Sequence, residues 1–159
     1  MESFYKLVEI LKENSLHISA AESCTGGMFA SEIVSIPDAS WVLSASFVTY
    51  SEEAKNKFAF VPFETIENYG VVSEETAIAM AKGAAENAGA EIGVGITGFA
   101  GPSGGDDFAE KGTVCFGFAL PGTEKTFRLK YDGMERNEIR AAAVKFAAET
   151  LYGLLKELY

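Results

Sequence analysis

The chain reads as an α/β fold with helices on both faces of a mixed sheet. First, helical and strand-like apolar patterns alternate along its 159 residues in the order α-β-α-β-α-α-α-β-β-β-α. Second, the first strand runs through Glu22-Ser23-Cys24-Thr25-Gly26-Gly27 into a helix, a βα turn of the kind found at the carboxyl end of a sheet. Third, two late strand patterns meet at Pro121-Gly122, which reads as a hairpin. The length fits one domain spanning residues 1–159, and no linker, repeat or charge block divides it.

Phe4, Leu7, Val8 and Leu11 recur at helical spacing over residues 2–14. Leu16, Ile18, Ala20 and Ala21 form the strand before the glycine turn, and Met28 to Ser35 the helix after it. Pro37-Asp38-Ala39-Ser40 breaks the chain, and Trp41 to Tyr50 predicts a buried strand. Ser51-Glu52-Glu53 is a helix start, with a hydroxyl cap and two acids in the first turn. Pro62 to Asn68 predicts a short helix ending at Gly70. Ser73-Glu74-Glu75 repeats the start signal for an Ala-rich helix that Gly89 closes. Glu91 to Thr97 is a short apolar strand, Gly98 to Lys111 a glycine-rich stretch without periodicity, and Gly112 to Leu120 with Lys125 to Tyr131 the hairpin. Asp132-Gly133-Met134-Glu135 has the spacing of an acidic capping box. The last helix carries Ile139, Ala143, Phe146, Thr150, Leu151, Leu154 and Leu158 on one face.

A formal net charge of −10 argues against nucleic acid as a partner, which normally meets a basic face. No apolar run approaches membrane-spanning length, and Met1 to Lys6 lacks the layout of a signal peptide, so a soluble, cytoplasmic chain with no membrane partner is expected. Cys24 and Cys115 are too few for a disulfide framework, and neither a CxxC nor a His/Cys cluster suggests a metal. No Walker A or GxGxxG pattern is present, and no cofactor is expected. The apolar last helix fits either internal packing or partial packing on a second copy, which leaves a homo-oligomer open.

Three polar, glycine-bearing segments follow strand ends: Ser23 to Gly27, Tyr50 to Lys55, and Thr97 to Gly105. Together they favour a shared cleft. Hydroxyls at a strand-to-helix turn serve either as helix caps or as a nucleophile beside backbone N–H donors. A thiol at a helix N-terminus, as at Cys24, can be acidified, but a Cys nucleophile normally wants a His. The one histidine, His17, alternates as a strand residue. Lys55, beside Tyr50 at a strand exit, is the remaining candidate base, since burial lets a lysine shed its proton near neutral pH; an ordinary solvated role stays open. Two of the three arginines, Arg136 and Arg140, lie one helical turn apart, suited either to an anion or to surface pairing.

Ala21-Glu22-Ser23-Cys24-Thr25-Gly26-Gly27, Phe47-Val48-Thr49-Tyr50-Ser51 with Lys55, Gly70-Val71-Val72-Ser73, Met80 to Ala84, Thr97-Gly98 with Ala100-Gly101-Pro102, and Gly112-Thr113-Val114 together resemble the CinA C-terminal domain family, the nicotinamide-nucleotide amidases. The resemblance covers nearly the whole chain. It implies a three-layer α/β/α sandwich with a mixed central sheet and hydrolysis of the carboxamide of nicotinamide mononucleotide, a pyridine nucleotide, by a Ser–Lys pair. Ser23 is then the nucleophile, Lys55 the base and Tyr50 a helper. Cys24, Thr25, Gly26 and Gly27 would form the oxyanion and substrate cradle. Thr97, Gly98, Gly101, Gly104 and Gly105 would line the pocket, and Arg136 and Arg140 would meet the phosphate. The chain departs from the family at Ala109-Glu110-Lys111-Gly112, usually Lys-Pro-Val-Gly, at Asp38, usually Gly, and at Phe99, usually Ile. Asp106, Asp107 and Glu110 beside a phosphate are unfavourable unless they point away.

Overall fold

A computed structural model describes residues 1–159. The elements are α1 (Glu2–Glu13), β1 (Ile18–Glu22), α2 (Met28–Val34), a 3-10 turn (Ala39–Trp41), β2 (Phe47–Val48), α3 (Glu52–Ala59), α4 (Phe63–Tyr69), α5 (Glu74–Ala88), β3 (Ile92–Gly98), β4 (Thr113–Leu120), β5 (Thr123–Lys130) and α6 (Arg136–Leu158). The five strands form one mixed sheet in the order β2-β1-β3-β4-β5. β1 runs parallel to β2 and β3, whereas β3–β4 and β4–β5 are antiparallel. Leu120 pairs with Thr123, so Pro121-Gly122 is a two-residue hairpin loop as predicted.

Strand alternation divides the sheet into two unlike faces. Ile18 and Ala20 of β1, Ile92, Val94 and Ile96 of β3, and Val114, Phe116 and Phe118 of β4 pack with α1, α2 and α6 in the main core. The opposite face is built from small residues and carries α5, with α3 and α4 packed against α5. Gly95 and Gly117 pair across β3 and β4, and a Cβ on either would stand 2.0 or 2.4 Å from the Ala77 carbonyl oxygen. Only hydrogen at both positions lets α5 sit this close to the sheet. The result is the three-layer α/β/α sandwich.

The start signals at Ser51 and Ser73 are realised where they were read. Ser51 Oγ accepts from the Ala54 N–H at 3.0 Å, and Ser73 Oγ from the Thr76 N–H at 3.0 Å. Three expectations need correction. The stretch Trp41 to Tyr50 is not a continuous buried strand: only Phe47 and Val48 form a strand on β1, Leu43 adds a single bridge to Ile18, and Trp41 is 72 % exposed. Ser46 explains the interruption, since its hydroxyl accepts from the Ala20 N–H and donates to the Ala20 carbonyl, occupying groups that a continuous ladder would use. The capping box begins three residues later than predicted: Glu135 caps α6, and Glu138 reaches back to it. The buried face of α6 carries Ile139, Ala143, Val144, Ala147, Ala148, Leu151 and Leu155, leaving Phe146, Thr150 and Leu154 at its margin and Leu158 exposed. No helix is long and apolar enough to cross a membrane.

Candidate active site

The parity of β1 separates the two residues at its end. Glu22 continues the Ile18–Ala20 face toward α2, while Ser23 follows Ala21 toward α3 and α5. The N–H of Ser23 still donates to the Ile96 carbonyl at 2.9 Å, which ties the nucleophile candidate to β3. α3 begins just past β2, the strand beside β1, and Lys55 near its start crosses to the same point. Its Nζ lies 3.1 Å from Ser23 Oγ and 2.7 Å from the Thr49 carbonyl oxygen. Lys55 is 1 % exposed and Ser23 8 %. No carboxylate pairs with Lys55, and burial pulls its pKa down from 10.5 to about 8. About one such lysine in ten is then neutral at pH 7. In that state one Nζ proton serves Thr49, and the lone pair can accept the Ser23 hydroxyl proton.

Glu22 was assigned no role from sequence, and it decides how the turn is built. Its buried carboxylate accepts from the N–H groups of Gly27 at 3.1 Å, Phe29 at 3.1 Å and Ala30 at 3.0 Å. It therefore caps α2, in place of the Ser23 or Thr25 hydroxyl. The signal in the sequence was an acid directly before a hydroxyl–glycine turn that leads into a helix without its own cap residue.

This cap corrects the expected cradle. The Gly27 N–H goes to Glu22 and the Gly26 N–H to the Ser23 carbonyl at 3.0 Å, so neither glycine offers a donor to a ligand. Their φ values of 97° and 58° give them a different role, turning the chain sharply. Thr25 is fully buried and does not present its hydroxyl to the cleft. The N–H groups of Cys24 and Thr25 donate to no backbone carbonyl.

A cleft of about 260 Å³ opens over Ser23 and Lys55, lined also by Cys24, Tyr50, Thr97, Gly98 and Arg136. Val71, Val72, Phe99, Ala100 and Ser103 complete it. Of these, Phe99 is the departure from the family noted in the sequence, Val71-Val72 and Ala100 lie within the quoted motifs, and Ser103 lies in the Thr97 to Gly105 segment. Thr97 Oγ1 donates to the Val71 carbonyl at 2.8 Å and so fixes one wall. Gly98 is needed because a Cβ there would stand 2.9 Å from Thr113 O and 3.1 Å from Cys24 Sγ. The Tyr50 hydroxyl makes no hydrogen bond to Ser23 or Lys55; it accepts from Arg136 Nη2 at 3.0 Å.

The two arginines separate. Arg136 faces the cleft, with Nη1 donating to the Gly101 carbonyl at 2.7 Å. Arg140 does not line the cleft, which corrects its assignment to substrate: its Nε donates to Cys24 O at 2.9 Å and its Nη2 to Thr25 O at 3.2 Å. Gly101, Gly104 and Gly105 also lie outside the cleft lining, because the loop folds on itself through a Gly105–Glu110 bridge. That fold disposes of the acidic residues. Asp106 Oδ1 accepts from the Phe108 and Ala109 N–H groups, and Glu110 pairs with Lys130 at 2.6 Å. None of Asp106, Asp107 or Glu110 lines the cleft.

The Cys24 nucleophile and its candidate partner His17 are less favoured than Ser23 and Lys55. Burial pushes the Cys24 thiol up to about 11, the opposite of an acidified cysteine. His17 precedes β1, at the end of the strand away from Ser23, where its Nδ1 meets Glu91 at 3.0 Å. The native protein is expected to resist iodoacetamide at about pH 8. Mass spectrometry of the iodoacetamide-treated protein checks this.

Known proteins share this fold. The family model described as CinA C-terminal domain matches residues 2–155. A CinA-like protein of Kosmotoga olearia is 45% identical over 143 residues, covering 90% of this chain and 34% of that protein. A putative competence-damage inducible protein of Limosilactobacillus reuteri is 44% identical over 158 residues, covering 95% of this chain and 37% of its own length. The chain thus spans about a third of these curated relatives. Among solved structures, a CinA superfamily protein from Klebsiella pneumoniae superposes with a TM-score of 0.93 at 33% identity, covering 98% of this chain and 97% of that one. One from Escherichia coli gives 0.90 at 36% identity, covering 94% and 87%. With the matching model running through both Ser23 and Lys55 and nearly end to end, the chain belongs to the CinA C-terminal domain family.

Proposed function

We propose that this protein hydrolyses the carboxamide of nicotinamide mononucleotide to nicotinate mononucleotide and ammonia through a Ser23 acyl-enzyme. The observation that carries the reading is the buried Lys55 Nζ at 3.1 Å from Ser23 Oγ, without a histidine or carboxylate in the pair. Neutral Lys55 takes the Ser23 proton as Oγ attacks the carboxamide carbon. The C–N bond breaks, and the same proton passes from Lys55 to the leaving nitrogen, which departs as ammonia. Water, activated by Lys55, then cleaves the ester and restores the Ser23 hydroxyl. The Cys24 and Thr25 N–H groups supply donors for the developing oxyanion. The choice of a pyridine nucleotide rests on the family resemblance, and Arg136, bound to no carboxylate, supplies a cation at the cleft for its phosphate.

The test is ammonia release from nicotinamide mononucleotide by the parent and by Ser23→Ala. The variant is expected to lose on the order of 10³-fold or more in kcat. Near-parental turnover by Ser23→Ala would rule out the acyl-enzyme route. Binding of the nucleotide by the parent without ammonia release would identify a binding module instead.

A further inference from the structure

Resting on the Ser23 reading above, we propose that Arg140 is a positioning residue that builds the oxyanion site from behind. Its guanidinium reaches two successive carbonyls, Cys24 O at 2.9 Å and Thr25 O at 3.2 Å. The only cis peptide in the chain is Gly101–Pro102, so both of these peptide units are trans. In a trans unit the carbonyl and the following N–H point in opposite directions. Thr25 O also accepts from the Met28 N–H at 3.0 Å, whereas Cys24 O has only Arg140, so Arg140 orients the unit whose far end is the Thr25 N–H and turns that N–H away from itself. The Gly26 N–H is used at once, donating to the Ser23 carbonyl at 3.0 Å. The Thr25 N–H is sent to the same side and has no backbone acceptor. It is left as a donor beside the nucleophile.

Arg140 is itself held for this task. Its Nη1 donates to Asn137 Oδ1 at 2.9 Å, and it forms no salt bridge that would neutralise it. Its charge thus polarises the two peptide units, strengthening their N–H groups as donors. Gly26 suits this turn because its φ of 58° is a left-handed conformation that L side chains rarely adopt. On the other side of the turn, Glu22 takes up the N–H groups of Gly27, Phe29 and Ala30. One cation holds carbonyls and one anion holds N–H groups, and between them only the Cys24 and Thr25 donors stay free.

Arg140→Ala is expected to lower kcat for ammonia release by about 10²-fold while KM stays within about threefold, because a small displacement of a catalytic donor costs rate before binding. Arg140→Lys, which can reach one carbonyl but not fork to two, is expected to fall between the parent and Ala. A KM that rises at unchanged kcat would make Arg140 a substrate contact and overturn the assignment, as would parental kcat in both variants. A fluorophosphonate probe separates this outcome from the choice of substrate. Ser23 Oγ forms a bond to phosphorus, fluoride leaves, Lys55 takes the proton, and the phosphoryl oxygen occupies the oxyanion position. Mass spectrometry then gives the labelling rate. A parent that labels but releases no ammonia from nicotinamide mononucleotide overturns the proposed substrate and leaves Arg140 to be judged by slowed labelling of its variants. A parent that does neither overturns both. If Arg140→Ala does not fold, the Lys variant decides: intermediate labelling supports the positioning role, and parental labelling refutes it.

Discussion

Lys55→Met is expected to yield a folded protein that binds substrate and has lost ammonia release by on the order of 10³-fold or more. Methionine fills a comparable buried volume without a proton acceptor, so the loss reports on chemistry and not on collapse of the cleft. The parent should show a second signature that the variant lacks. The folded-state pKa of Lys55 is about 8, below the ordinary 10.5. The unfolded chain therefore binds more protons between those values, and Lys55 adds stability as pH rises through that window. Below about pH 8 both states are protonated, and the buried ammonium imposes a constant cost of about 3 kcal/mol relative to the deprotonated lysine. Between about pH 8 and 10 the Tm of the parent should therefore rise relative to that of Lys55→Met. The kcat of the parent should climb with an apparent pKa near 8. A flat pH–rate profile in this range would remove Lys55 as the base.

Glu22→Ala is expected to cost about 3–5 kcal/mol, because it strands the N–H groups of Gly27, Phe29 and Ala30 and opens a cavity in the main core. For a chain of this size that corresponds to a fall in Tm on the order of 10 °C. Glu22→Gln should lie between, since its amide oxygen can still accept while its NH₂ meets an N–H donor. Activity should fall with stability in both variants, as the turn that presents Ser23 loosens. Urea denaturation checks the ranking, and a Glu22→Ala protein within about 1 kcal/mol of the parent would show that the carboxylate is dispensable.

The pieces of the fold legible in the sequence are those fixed by short-range chemistry. Ser51 and Ser73 each cap the N–H three residues on, and the Pro121-Gly122 loop closes strands that are neighbours in the chain. The misread pieces depended on distant partners. Trp41 to Tyr50 has β-prone residues, but Ser46 spends its hydroxyl on Ala20, which splits the pairing with β1 into a single Leu43 bridge and the two residues Phe47 and Val48. Two acid pairs of equal spacing compete to start α6. The pair at Glu135 and Glu138 prevails in a structure where Ile139 enters the core and Arg136 and Arg140 reach the site.

The candidate site divides in the same way. The residue types and their order in the sequence marked Ser23, Lys55, Tyr50 and the glycine segments as members of one cleft, because each follows a strand end. Whether Lys55 is solvated or buried could not be read locally, since nothing in Glu52 to Ala59 shows that α3 lies over the end of β1. That followed from β2 pairing parallel to β1, which places Lys55 Nζ 3.1 Å from a serine 32 positions away. The division of the two arginines, one in the cleft and one behind the turn, and the capture of the α2 N-terminus by Glu22 are likewise tertiary facts. Sequence determined which groups were available and which local turns they could make. The packing of α3, α5 and α6 around the carboxyl end of β1 decided their protonation, their partners and their direction, because burial and hydrogen bonding act through space and not along the chain.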